Sequence, residues 1–215
     1  MDADDAAVAV RERELRVRHL ALAAFAGAGW AHPEYEAPYG PLVPTLYALV
    51  AQRHMHEYGT TPGQMAEVAV AIRGHAALNP LAQKREPITV ADVLASKMIT
   101  SPLHLLDCAI VYDGAAAFVV TSRKDIRKRP VRILGQGYGF THTYIGEHDH
   151  IATTGAVQSG RMAFEQAGVK PADIDVAELY DCFTITVIAE LEDLGFCPKG
   201  EGGRFVEGGR IRLGG

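Results

Sequence analysis

Cysteine is scarce in this chain: there are three in 215 residues, Cys108, Cys182 and Cys197. An odd, widely spaced set does not build a disulfide framework, so a reducing cytoplasm is the simpler expectation. Positive charge is not in excess either. Twenty-one Lys and Arg against 26 Asp and Glu leave a net charge of −5, which argues against nucleic-acid binding, whose footprint is basic. The basic cluster Arg123, Lys124, Arg127, Lys128 and Arg129 is split by Asp125 and closed by Pro130. It reads as a solvated stretch, with a phosphate contact as the other reading. No apolar run reaches the roughly 18–20 residues of a membrane-spanning helix. Residues 20–30 are apolar and follow an Arg-rich stretch, as in a signal peptide. Asp2, Asp4, Asp5, Glu12 and Glu14 precede them, which argues against secretion. His142, His148 and His150 share a loop with Asp149 but match no recognised zinc spacing, so no metal is expected. No internal repeat is evident.

What the chain does have is an ordinary globular composition, 48% hydrophobic and 22% charged, enough for a packed core. Its length suits one large or two small domains. The first thirty residues are rich in Ala, Leu, Arg and Glu and predict a helix. Four prolines and Gly40 within 31–44 predict a linker. A helix is predicted over 45–58, closed by Gly59. A second follows, capped by Thr60 or Thr61 with Pro62 in its first turn. It carries Met65, Val68, Ala69 and Ile72 at helical spacing and is ended by Asn79-Pro80. Residues 89–95 predict a short capped helix. Residues 115–121 and 131–134 predict buried strands. A helix over 155–167 stopped by Gly168, a turn at 171–174, a strand over 174–179 and a helix over 183–194 complete the order. Strand, helix, strand, helix predicts an α/β layer with parallel pairing.

The most informative run is 176–184, Val-Ala-Glu-Leu-Tyr-Asp-Cys-Phe-Thr. It brings a phenol, a carboxylate, a thiol and a hydroxyl to the end of a strand, where open α/β sheets bind ligands. Tyr180 can donate a hydrogen bond to an oxyanion or, with its pKa lowered, accept a proton. The plain alternative is a packed ring with a satisfied hydroxyl. Asp181 can orient Tyr180, or cap the helix that follows, which is the ordinary role of Asp there. Cys182 is placed where a helix N-terminus lowers a thiol pKa, yet small buried cysteines are common. Cys182, Phe183 and His148 are the candidates for substrate contact. His54 and His56 lie two apart on a helix, face different directions, and read as surface or packing residues. Gly135, Gly137 and Gly139 are evenly spaced and open no helix, so they do not predict a dinucleotide site.

Three segments together resemble the thiolase superfamily, and within it the sterol-carrier or lipid-transfer-protein type. They are residues 47–60, Tyr-Ala-Leu-Val-Ala-Gln-Arg-His-Met-His-Glu-Tyr-Gly-Thr, the run Asp113-Gly114-Ala115-Ala116-Ala117, and Tyr180-Asp181-Cys182-Phe183. The resemblance implies an α/β, thiolase-like fold, here partial. It implies three parts: 1–37 as an unmatched segment and linker, 38–129 as loop domain and last strand of the N-terminal half, and 130–215 as the first part of the C-terminal half. Neither the family's nucleophilic-cysteine segment nor its Gly-His-Pro and Cys-x-Gly motifs are found, so the chain reads as a fragment, inactive alone.

In the family an Asn-Glu-Ala-Phe segment holds a water that stabilises a thioester enolate. Tyr180 stands at that Asn position. The exchange resembles the lipid-transfer-protein-type aldolases, which cleave a β-hydroxyacyl-CoA by retro-aldol chemistry in steroid side-chain degradation. The resemblance therefore implies Tyr180 and Asp181 as catalytic residues and an acyl-CoA as substrate. No cofactor is implied beyond the coenzyme A of the substrate. It also implies a homo-oligomer and an OB-fold partner protein. Ala109 falls where thiolases often place a serine on the pantetheine arm. A 3-ketoacyl-CoA thiolase or acetyl-CoA acetyltransferase fragment is the alternative, and a non-catalytic binding or assembly module a further one.

Overall fold

A computed structural model describes residues 32–111, 114–123 and 131–215. The predicted N-terminal helix, Asp113 and most of the basic cluster, Lys124, Arg127, Lys128 and Arg129, lie outside the described residues. The first two helices form where the sequence predicts them. Helix α1 spans Val43–Tyr58 and ends at Gly59, whose φ of 74° supplies the left-handed cap. Helix α2 spans Pro62–Leu78. Thr61 accepts the Gln64 N–H at 3.2 Å and Gln64 Oε1 accepts the Thr61 N–H at 2.9 Å, a reciprocal capping box. Helix α3, Val90–Ala95, is opened by the same device between Thr89 and Asp92. Strands β1, Met98–Thr100, and β2, Leu103–His104, make a short antiparallel pair. Later come α4, Ala156–Ala167, α5, Thr184–Asp193, and α6, Gly202–Phe205.

Helix α5 is the centre of the molecule. Thr184, Ile185, Thr186, Val187, Ile188, Ala189, Leu191 and Glu192 are all buried. A helix covered on nearly every side is a core helix rather than a surface one. Its Ile185, Ile188 and Leu191 pack with Ala48 and Ala51 of α1, Met65 and Val68 of α2, Leu103, Cys197 and Val206. Each fully buried Ile or Leu there contributes about 2 kcal/mol. Ala66 and Ala69 of α2 pack with Val93 of α3 in a second cluster. The predicted inward residues of α2 face inward: Met65, Val68 and Ala69 are buried and Ile72 packs against the core.

The strands are where the expectation fails. Residues 115–121, 131–134 and 174–179 are not assigned as strands, and among the described residues the only sheet is the β1–β2 pair. Phe118, Val119 and Val131 are 86%, 92% and 97% exposed. An apolar run gives a segment its preference for a covered, extended conformation. A strand also needs a neighbouring ladder, which the described residues do not provide. The chain is accordingly largely helical, a portion of an α/β fold in which the helices are formed and little sheet is.

One extended segment is nevertheless held in place. Gly135, Gly137 and Gly139 run antiparallel to α4, their Cα atoms facing Ala163, Ser159 and Gly155 in turn. Two residues of extended chain advance about 6.6 Å and four helical residues about 6 Å, so the two rows keep step. A Cβ at any of the three would run into helix backbone. The alternate-glycine pattern is thus a close-packing device. The Gln136 N–H also donates to Gln166 Oε1 at 2.7 Å.

Candidate active site

Residues 179–183 form the turn into α5. Phe183 is the N-cap residue of that helix, with extended backbone and no side-chain cap. Its ring is buried and stacks on Tyr47 of α1 at 4.5 Å between centroids. Asp181 is therefore not the cap of this helix. It is exposed and faces a cleft instead. The turn is tied from the other side by an antiparallel bridge between Cys108 and Phe183, in which the Ala109 N–H donates to the Cys182 carbonyl at 2.9 Å. Thus Ala109 contributes its backbone to the turn while its side chain lacks a polar group.

The phenol of Tyr180 is 66% exposed at the head of the turn. Its backbone N–H donates to Glu190 Oε2 at 2.9 Å. The Cys182 thiol beside it, then partial burial and the Asp181 and Glu190 carboxylates, raise its pKa above the ordinary phenol value. A phenol so surrounded by acidic groups stays protonated and is suited to donating. Tyr47 also meets the Cys182 thiol. Burial first, then the Cys182 thiol, pushes its phenol well above the usual range. Cys182 is half-buried, with Sγ 3.4 Å from Thr186 Oγ1. Burial raises the Glu190 carboxyl, the Asp181 and Asp193 charges add to this, and the Tyr180 N–H works against it. Cys108 is pushed up to about 11 by burial and then by Asp107, and Cys197 to about 11 by burial and then by Glu192. Thiols held neutral in this way are poor nucleophiles.

Beside the turn, α2, the 81–88 loop and the Leu105–Asp107 turn enclose a cleft of about 330 Å³. Arg73 and Lys84 line it from one side and Asp181 and Thr184 from the other. At its floor the buried Asp107 accepts from Thr184 Oγ1 at 2.9 Å and from the His104 N–H at 2.8 Å. That carboxylate joins the β2 region to the first turn of α5.

Tyr180, Asp181, Cys182 and Phe183 are thus brought together, and Tyr47 and Glu190 join them. His148 lies in another group: its ring meets His142 at 4.8 Å, and its Nδ1 accepts the His150 N–H at 2.9 Å. Burial and then the His148 charge lower the His142 pKa.

His54, read from the sequence as a surface or packing residue, is a packing residue, with polar partners that the sequence did not indicate. It is fully buried, with Nδ1 2.8 Å from Thr60 Oγ1 and Nε2 3.0 Å from Glu192 Oε2. Lys199 reaches Glu192 Oε2 at 3.2 Å and Asp193 Oδ1 at 3.0 Å, and donates to the Ala152 carbonyl. The available signal was in α5, where Glu190 and Glu192 interrupt an otherwise apolar run.

The Thiolase C-terminal domain-like family matches residues 137–215. The chain is 41% identical over 186 residues to an acetyl-CoA acetyltransferase of Methanothermobacter thermautotrophicus, covering 85% of this chain and 49% of the relative. It is 41% identical over 201 residues to the steroid side-chain-cleaving aldolase of Thermomonospora curvata, covering 88% and 51%. Among solved structures, the Ltp2-ChsH2(DUF35) aldolase superposes with a TM-score of 0.76 at 36% identity, covering 88% of this chain and 51% of that one. The chain spans about half the length of the curated relatives it matches. With an acetyl-CoA acetyltransferase and a steroid side-chain-cleaving aldolase at equal identity, and with the turn into α5 carrying the motif, the chain belongs to the thiolase superfamily, in its sterol-carrier and lipid-transfer-protein branch.

Proposed function

We propose that this chain forms part of an enzyme that cleaves a carbon–carbon bond in a β-hydroxyacyl-CoA by retro-aldol chemistry, in lipid or steroid side-chain degradation. The observation that carries this reading is the exposed Tyr180 phenol on the turn into α5, with acidic neighbours that keep it protonated. In the reaction a general base takes the alcohol proton, the adjacent carbon–carbon bond breaks, its electron pair moves onto the acyl-CoA as an enolate, and return of a proton to the enolate carbon gives the shortened acyl-CoA. A ketone is the other product. A preorganised donor beside a developing oxyanion stabilises it, and this is the role assigned to Tyr180. Asp181 lies at the cleft, where Arg73 and Lys84 offer positive charge suited to the phosphates of coenzyme A. The aldolase name of one relative and of the solved neighbour supports the assignment.

The neighbour's name also joins Ltp2 with ChsH2(DUF35). By that similarity we propose a DUF35 partner protein for this chain. The second reading is thiolysis or acetyl transfer, favoured by the identity to the archaeal acetyl-CoA acetyltransferase. One assay separates them. The purified protein, with and without a DUF35 partner, is given a β-hydroxyacyl-CoA and, separately, a 3-ketoacyl-CoA with free coenzyme A. Ketone and shortened acyl-CoA from the first substrate alone support the aldolase. A trapped acyl-cysteine and turnover of the second alone support the thiolase.

A further inference from the structure

We propose that Glu190 is a positioning residue for Tyr180, one jaw of a two-point backbone clamp on the turn into α5; this rests on the reading of Tyr180 as the acting phenol. The first jaw is Glu190 Oε2, which accepts the Tyr180 N–H at 2.9 Å. The second is the Ala109 N–H, which donates to the Cys182 carbonyl at 2.9 Å. The first bond holds the peptide between Leu179 and Tyr180 and the second the peptide between Cys182 and Phe183, so together they bracket the segment Tyr180-Asp181-Cys182.

The jaws stand on fixed supports. Helix α5 is tied at its start by Thr184 to the buried Asp107, at 2.9 Å, and near its end by Glu192 to the buried His54. Glu190 therefore projects from an element that has little freedom to move, and a site built on such an element keeps its geometry. Glu190 also sits at an unfavourable position for stability. Burial disfavours its charged form, and the carboxylates of Asp181 and Asp193 add to the cost. A carboxylate kept where its surroundings oppose it is explained by the bond it makes to Tyr180.

Three variants test the clamp in the intact protein with its partner. Glu190→Ala removes the acceptor, Glu190→Gln keeps an acceptor oxygen, and Tyr180→Phe removes the phenol. The expected result for Glu190→Ala is Tyr180 amide hydrogen exchange faster by about tenfold or more, the loss of a charge-assisted hydrogen bond. Its kcat for the β-hydroxyacyl-CoA falls about tenfold, while KM changes less than about twofold. Glu190→Gln restores most of both. Unchanged exchange at Tyr180 in a folded Glu190→Ala protein overturns the proposal. So does unchanged kcat in Glu190→Ala where Tyr180→Phe is inactive, or failure of Gln to restore either in a folded protein. If Tyr180→Phe turns over like wild type, the reading of Tyr180 has failed; the exchange result then still decides for or against the clamp.

Discussion

Four side chains carry most of what can be tested singly. Tyr180→Phe keeps the ring and removes a hydroxyl that is largely in solvent. Stability is expected to be unchanged while turnover falls by about 10²-fold or more, the range for a positioned proton donor. Thermal melting and steady-state kinetics check the two halves. His54→Ala strips a partner from the buried Glu192 and is expected to cost about 3–5 kcal/mol, measured by urea unfolding. The two glutamates of α5 respond to pH with opposite sign. Burial opposes ionisation of Glu192, but the His54 hydrogen bond and charge and the Gly200 and Gly202 N–H groups outweigh it and lower its pKa. Its contribution is full above the unfolded carboxyl pKa of about 4.3 and is lost as pH falls through the lower folded value. The raised pKa of Glu190 contributes below about 4.3 and is lost as pH rises through the folded value. Glu192→Gln should therefore flatten the acid limb of a Tm–pH profile, and Glu190→Gln should raise Tm at neutral pH.

Helices and turns show why so much of this chain was readable. Thr60 or Thr61 with Pro62 announce the start of α2, and Gly59 and Gly168 announce the ends of α1 and α4, because caps are made by residues close in sequence. Thr61→Ala is expected to cost about 1 kcal/mol. The glycine row is different. Its spacing is visible in the sequence, but its meaning depends on which surface it meets, and here that surface is α4. Gly137→Ala places a Cβ against the Ser159 backbone and is expected to cost about 1–3 kcal/mol as an overpacked contact. Circular dichroism melts of Gly137→Ala and of Gln136→Ala, whose backbone contacts remain, separate the close approach from general sensitivity of the segment.

For the molecule as a whole, α1, α2 and α5 share the main core, whereas the segments at 115–121, 131–134 and 174–179 are not paired into strands. Unpaired extended segments offer their N–H and C=O groups to other chains. Amide exchange in these segments is expected to be fast, and in α2 and α5 slow. Binding of a protein that supplies strands to them should slow exchange there and leave α2 and α5 unchanged. The thiolase branch was legible because its marker residues are contiguous: Tyr180, Asp181, Cys182 and Phe183 fall in one turn. Glu190 was not, although it follows ten residues after Tyr180, because nothing local says that helix α5 folds back to put its carboxylate on the Tyr180 N–H. Nor was Tyr47, which reaches the turn across 136 residues only by packing of α1 on Phe183.

Local chemistry alone thus specified the helices, their caps and the reactive turn, since each depends on bonds between neighbours in the chain. Pairing and packing decided the rest. They left the apolar segments without a ladder, made Phe183 rather than Asp181 the N-cap residue, and buried His54 against Glu192 from 138 residues away. Such contacts depend on which surfaces meet in space, and periodicity within one segment carries no record of the surface opposite it.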